Sequence, residues 1–285
     1  MQNSKTIALK DGRKLGYAEY GNPKGKPLFF FHGWPSSRLQ ANDLDHTGVK
    51  LNVRVIGIDR PGYGLSDFKP LRSLLDWPDD VIELADILNI KTFAVVGQSG
   101  GGPYAAVCAY KIPHRLTSVG IVVGLSPTNI QGVLQGMGFL PKLAWRLYHR
   151  FPPLVEISST LLFLQTKKFL ANTFAFSYQA KSDQALLRSP GARQEMLENR
   201  KEAFRQGKKG CAWDVRLYTS DWGFRLRDIT AKVYLWYGAS DKNVSVAMGK
   251  YYAAQIPGST LTVYPNEGHF ILKTHAEEIV KTLMT

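Results

Sequence analysis

The chain has 285 residues, of which 44% are hydrophobic and 12% aromatic, and a formal net charge of +13. This is a globular composition with enough apolar residues for a sizeable core. No run of about 18 apolar residues offers a membrane span. Two cysteines, Cys108 and Cys211, make a disulfide framework a poor reading. The polar first 13 residues lack the apolar stretch of a signal peptide, so a cytoplasmic protein is expected.

The positive charge is unevenly spread, with residues 126–210 carrying 13 Lys and Arg against 5 Asp and Glu. No nucleic-acid motif accompanies it, so a nucleic-acid partner is not expected. A solvated basic face remains, as does attraction to an anionic substrate or an anionic membrane surface. Lys142, Arg146 and Arg150 recur at i, i+4, i+8 with apolar residues on the other side, a pattern suited to weak membrane-surface contact.

In chain order, residues 6–9 and 14–20 flank Asp11-Gly12, a hairpin signal. A short buried strand is expected over 27–31, a helix over 36–46 and an apolar strand over 53–58. Residues 71–88 read as helical in parts: Pro78 suits a first turn, and Val81, Leu84, Ala85 and Leu88 recur at helical spacing. Strand 93–96, helix 103–110 and strand 116–123 follow. After a long interruption come strand 233–237, helix 246–255, strand 260–263 and helix 275–283. The alternation predicts an α/β fold, a mostly parallel sheet with helices on both faces. Residues 126–225 break the rhythm. They suggest helices over 141–151, 155–174 and 192–206, inserted as a cap over the C-terminal edge of a core made of 1–125 and 226–285.

At the centre of the chain, the apolar run to Val96 passes through Gly97-Gln98-Ser99-Gly100-Gly101 into a helix. This G-x-S-x-G between strand and helix predicts a nucleophile elbow, which presents the Ser99 hydroxyl above a helix N-terminus. A serine hydroxyl needs a base, and the base needs an orienting acid. Of six histidines, His269 lies in a loop after a strand and before the last helix, where an imidazole can return to the elbow. Asp241 sits just past strand 233–237, in the order nucleophile, acid, base. Asp214 and Asp221 are weaker candidates, since each belongs to the insertion or its border. Phe31-His32-Gly33-Trp34-Pro35 follows another strand and can bring a backbone N–H to the reacting carbonyl. The amides of Trp34 and Gly100 are the expected oxyanion hole, and His32 is expected to bond loop backbone.

These pieces, together with Asp59-Arg60-Pro61-Gly62-Tyr63-Gly64-Leu65-Ser66 and Gly238 to Asp241, resemble the esterase/lipase-like branch of the α/β-hydrolase fold superfamily. The resemblance covers both ends of the core. It implies an eight-stranded, mostly parallel sheet and a Ser–His–Asp triad that works without a cofactor or metal. Serine at 99 argues against the members that use an aspartate nucleophile, and Gly102, a third consecutive glycine, departs from the usual pattern.

The expected reaction is cleavage of a carboxylic ester, lactone or thioester through an acyl-enzyme on Ser99. Two alternatives stay open: a Ser-His-Asp enzyme of another class (C–C bond hydrolase, acyltransferase or perhydrolase), and a non-enzymatic small-molecule receptor with the same fold. The expected substrate is a small, hydrophobic acyl compound. Trp34, Met137, Phe139, Trp145 and Phe163 are candidates for its pocket, with Leu140, Tyr148 and Phe169 beside them; the competing reading makes most of these the insertion's own core.

Overall fold

Strands that are buried on both faces read as unbroken apolar runs, and this chain has several: Leu28 to Phe31 and Val95-Val96 are fully buried. In a computed structural model, which describes residues 4–167 and 180–285, they lie at the middle of an eight-stranded sheet. The strands are β1 (Ser4–Ala8), β2 (Lys14–Gly21), β3 (Lys26–Phe31), β4 (Val53–Ile58), β5 (Phe93–Gln98), β6 (Leu116–Val122), β7 (Val233–Gly238) and β8 (Thr260–Tyr264). Their spatial order is β1-β2-β4-β3-β5-β6-β7-β8. β1 and β2 form the hairpin expected at Asp11-Gly12, and β2 runs antiparallel to β4. Every later pairing is parallel.

Helices α1 (Asp45–Lys50), α2 (Trp77–Ile87) and α3 (Gly102–Lys111) alternate with the strands. The stretch expected as one helix over 36–46 is instead a 3₁₀ turn, Arg38–Leu44, that leads into α1. Tertiary bonds hold this tighter form: the Arg38 amide donates to Asp59 Oδ1 at 2.6 Å, and Gln40 Oε1 accepts the Gly33 N–H at 2.8 Å.

Among the described residues, five α-helices stand between β6 and β7: α4 (Phe139–Arg150), α5 (Pro153–Lys167), α6 (Lys181–Leu187), α7 (Pro190–Ala203) and α8 (Lys209–Thr219). Of the helix expected over 155–174, the part beyond Lys167 lies outside the described residues. α6 and α8 were not anticipated. After β7 come α9 (Val246–Gln255), then α10 (Ile271–Thr274) and α11 (Ala276–Leu283) beyond β8. Among the described residues, no helix is long and apolar enough to cross a membrane.

A buried charge cluster ties the inserted helices to the core. Asp214, on α8, accepts from Arg60 Nε at 2.8 Å, from the Tyr63 and Tyr104 hydroxyls at 3.0 and 2.6 Å, and from Arg72. All five side chains are buried. Burial disfavours the Asp214 charge, but Arg60 and Arg72 more than offset it and hold the carboxyl well below the usual range.

Candidate active site

Parallel strands release their loops at one sheet edge, and three of those loops converge here. β5 ends at Gln98 and α3 begins at Gly102. Between them Ser99 has φ of 54°, a left-handed conformation that strains a residue with a side chain. The turn can be this tight because its flanks are glycine: a Cβ on Gly97 would strike the Gly101 carbonyl, and one on Gly101 would strike the Phe31 carbonyl.

β7 and β8 pair in register, Gly238 opposite Tyr264, so the loops after them emerge side by side. The first carries Asp241 and the second His269. His269 Nε2 lies 3.1 Å from Ser99 Oγ, and its Nδ1 is 2.7 Å from Asp241 Oδ2. Asp241 is buried, and its other oxygen accepts the amides of Asn243 at 2.7 Å and Val244 at 3.0 Å. A carboxylate held in this way favours the imidazole tautomer with Nδ1–H toward Asp241, which leaves the Nε2 lone pair facing Ser99 Oγ. Burial pulls the His269 pKa down, but the charge and hydrogen bond of Asp241, with the charge of Asp183 added, raise it above the ordinary value.

Trp34 and Gly100 face each other across the elbow: a Cβ on Gly100 would stand 3.2 Å from the Trp34 amide nitrogen. The Tyr218 hydroxyl lies 2.8 Å from the Gly100 carbonyl and 3.1 Å from Asp214 Oδ2. The charge cluster under the fold thus reaches the backbone of the elbow. Gln40 bonds both the Gly33 amide and, at 2.9 Å, Gln98 Oε1, which holds the two loops together. His32 bonds loop backbone as expected, with Nδ1 2.8 Å from the Gly33 carbonyl and Nε2 accepting the Arg60 amide. Burial and the nearby Arg60 push its pKa well down, so it is neutral.

A cavity of about 690 Å³ opens above Ser99 and His269. Of the pocket candidates, Trp34, Trp145 and Tyr148 line it. Met137, Phe139 and Phe163 do not. Met137 is buried in the main core, and Phe163 packs against Phe204 with ring centroids 5.8 Å apart. Phe139 is 77% exposed and Leu140 is 64% exposed. Helix geometry decides this: Pro141, Ala144, Trp145 and Tyr148 recur at i, i+3, i+4, i+7 on the cavity face of α4, which turns Phe139 and Leu140 away. Phe169 lies outside the described residues.

One residue that sequence reasoning missed stands behind His269. The buried Asp183 of α6 accepts the backbone amides of His269 at 2.8 Å and Phe270 at 3.1 Å. Its only sequence signal is that it is the lone aspartate of the basic stretch 126–210. A Cβ on Gly268 would collide with this carboxylate, so glycine there permits the approach.

The profile of the alpha/beta hydrolase fold family matches residues 26–276, and the chain belongs to that family. It is 25% identical over 290 residues to a bifunctional esterase/perhydrolase of Acinetobacter calcoaceticus, covering 98% of this chain and 97% of that protein. It is 31% identical over 131 residues to a non-heme chloroperoxidase of Streptomyces lividans, covering 44% of this chain and 46% of that one. The crystal structure of a hydrolase from Pseudomonas aeruginosa PA01 superposes with a TM-score of 0.72 at 20% identity, over 99% of this chain and 98% of that chain. This last likeness concerns the fold alone.

Proposed function

We propose that the protein is a serine hydrolase that cleaves a carboxylic ester through an acyl-enzyme on Ser99. The observation that carries this reading is the hydrogen-bonded line from Ser99 Oγ through the His269 imidazole to the buried Asp241. The similarity to an esterase/perhydrolase along nearly the whole chain supports it.

In this mechanism Ser99 Oγ attacks the ester carbonyl while its proton passes to His269 Nε2. Asp241 stabilises the imidazolium that forms. The carbonyl oxygen, now an anion, is held by the N–H groups of Trp34 and Gly100. Collapse of the tetrahedral intermediate breaks the bond to the alcohol oxygen, which takes the proton from Nε2. A water then gives a proton to Nε2 and attacks the acyl carbon, and the acid leaves as Ser99 recovers its proton.

The test is a chain-length series of p-nitrophenyl esters, with fluorophosphonate labelling, on wild type and Ser99→Ala. Turnover and labelling that both vanish in a folded Ser99→Ala are expected. Hydrolysis that survives the substitution would refute the reading. Labelling of wild type without ester turnover would move it to another reaction of the same triad.

A further inference from the structure

The cavity above Ser99 has an unbalanced charge. Its wall toward α6 and α7 carries Arg188, Arg193 and Arg200, and none of its described lining residues is Asp or Glu. Residues 168–179 contain no Asp or Glu either, so no carboxylate can come from that stretch.

Arg200 is the informative member. The buried arginines elsewhere are paired: Arg38 with Asp59 and Glu202, each at 2.7 Å, and Arg60 and Arg72 with Asp214. Arg200 is partly buried, and among the described residues its guanidinium has neither an ion pair nor a hydrogen bond. Burial pushes its pKa down. Withdrawing a charge from water without a partner is costly. The cost is not relieved by a loose backbone, because the preceding residue is clamped. Asn199 Oδ1 accepts the Ser37 amide and hydroxyl at 2.9 and 2.6 Å, and Asn199 Nδ2 donates to Ser36 Oγ at 2.8 Å. Arg200 is thereby held beside the loop that carries Trp34. Arg193 Nε is engaged with the Leu187 carbonyl.

From this we infer that the cavity binds an anionic substrate and that Arg200 is its specificity-determining residue, receiving a carboxylate carried by the acyl compound. A planar guanidinium takes a carboxylate through two parallel N–H···O bonds. The volume, about 690 Å³, suits a small molecule with an ester and a second acidic group. The inference rests on the proposed hydrolysis for its kinetic form only; anion binding in the cavity is a separate property.

Two measurements keep the two claims apart. The first is the ratio of kcat/KM for p-nitrophenyl hemiesters of linear dicarboxylic acids to that for neutral p-nitrophenyl esters of matched length. Wild type is expected to favour the hemiester by about 10- to 100-fold at one chain length, the range for a hydrogen-bonded charge pair. Arg200→Gln is expected to remove that ratio, chiefly through KM. The second is binding of free linear dicarboxylates to Ser99→Ala by calorimetry, which needs no turnover. Binding is expected, and the double variant Ser99→Ala/Arg200→Gln is expected to lose it. Because no described protein group pairs with the guanidinium, Arg200→Gln should melt at or above the wild-type temperature. A wild-type ratio near one at every length, a ratio unchanged in Arg200→Gln, or dicarboxylate binding that survives the double variant would each overturn the inference. Dicarboxylate binding without ester turnover would uphold it while refuting ester hydrolysis.

Discussion

Replacing Asp214 with alanine removes the carboxylate that Arg60 and Arg72 share, and leaves two buried guanidinium groups with no described acid in ion-pair range. Tyr63 and Tyr104 lose an acceptor in the same step. Breaking one buried pair costs about 3–5 kcal/mol. With two cations exposed to the loss, the expected destabilisation is about 5 kcal/mol. Unfolding entropy of about 2.1 cal/mol/K per residue gives a chain of this length about 600 cal/mol/K, so the melting temperature should fall by about 8 °C. Asp214→Asn keeps the shape and some hydrogen bonds, and should lose roughly half as much. The folded carboxyl lies below its ordinary value, so its stabilisation is fully present above the unfolded pKa near 4 and is lost as pH falls through the folded value. The gap between wild type and Asp214→Ala should therefore narrow in acid. Calorimetric scans at pH 7 and below pH 4 provide the check. A shift of less than about 1 °C at pH 7, or a gap that widens in acid, would refute the account of this cluster.

Two further predictions concern the site. Asp183→Asn removes a negative charge that raises the His269 pKa. In the proposed mechanism His269 must be neutral to act as base, so the acidic limb of the kcat/KM profile should move to lower pH. Loss of loop support should also reduce kcat about 3- to 10-fold. A limb that stays in place would assign Asp183 to structure alone. Gly101→Ala puts a Cβ against the Phe31 carbonyl and should cost about 3 kcal/mol. Gly12→Ala, with open space at its Cβ position but φ of 86°, should cost only about 1–2 kcal/mol. Equal urea midpoints for the two variants would contradict the packing argument.

Much of the fold is written locally. Apolar runs such as Phe29 to Phe31 and Val95-Val96 are long enough for strands and too short for helices, and Asp11-Gly12 closes its hairpin through turn chemistry alone. The elbow is legible for the same reason: only glycines at 97 and 101 tolerate the turn around Ser99, so the pattern is sequence-local. His269 and Asp241 could be picked out because each follows a strand, and parallel strands deliver their loops to one edge. α8 left a weaker trace, Ala212, Val215 and Tyr218 at helical spacing, in a segment crowded with Lys and Arg.

Other features had no local signal, because they depend on distances between segments far apart in sequence. Whether Trp145 or Phe139 faces the cavity depends on how α4 is rotated against the core, and both are equally apolar in the sequence. Asp214 looked like a minor candidate acid until Arg60, Arg72 and three tyrosines were brought around it. Asp183 acquires its contact with the His269 loop 86 residues away only when α6 is docked. The sequence alone therefore determines the strands, the elbow and the order of its partners, since backbone sterics and hydrophobic periodicity act over a few residues. The tertiary structure alone decides which charges are paired, because pairing and desolvation act through space. That is why Arg200, one of many basic residues in the sequence, stands apart only in the folded cavity.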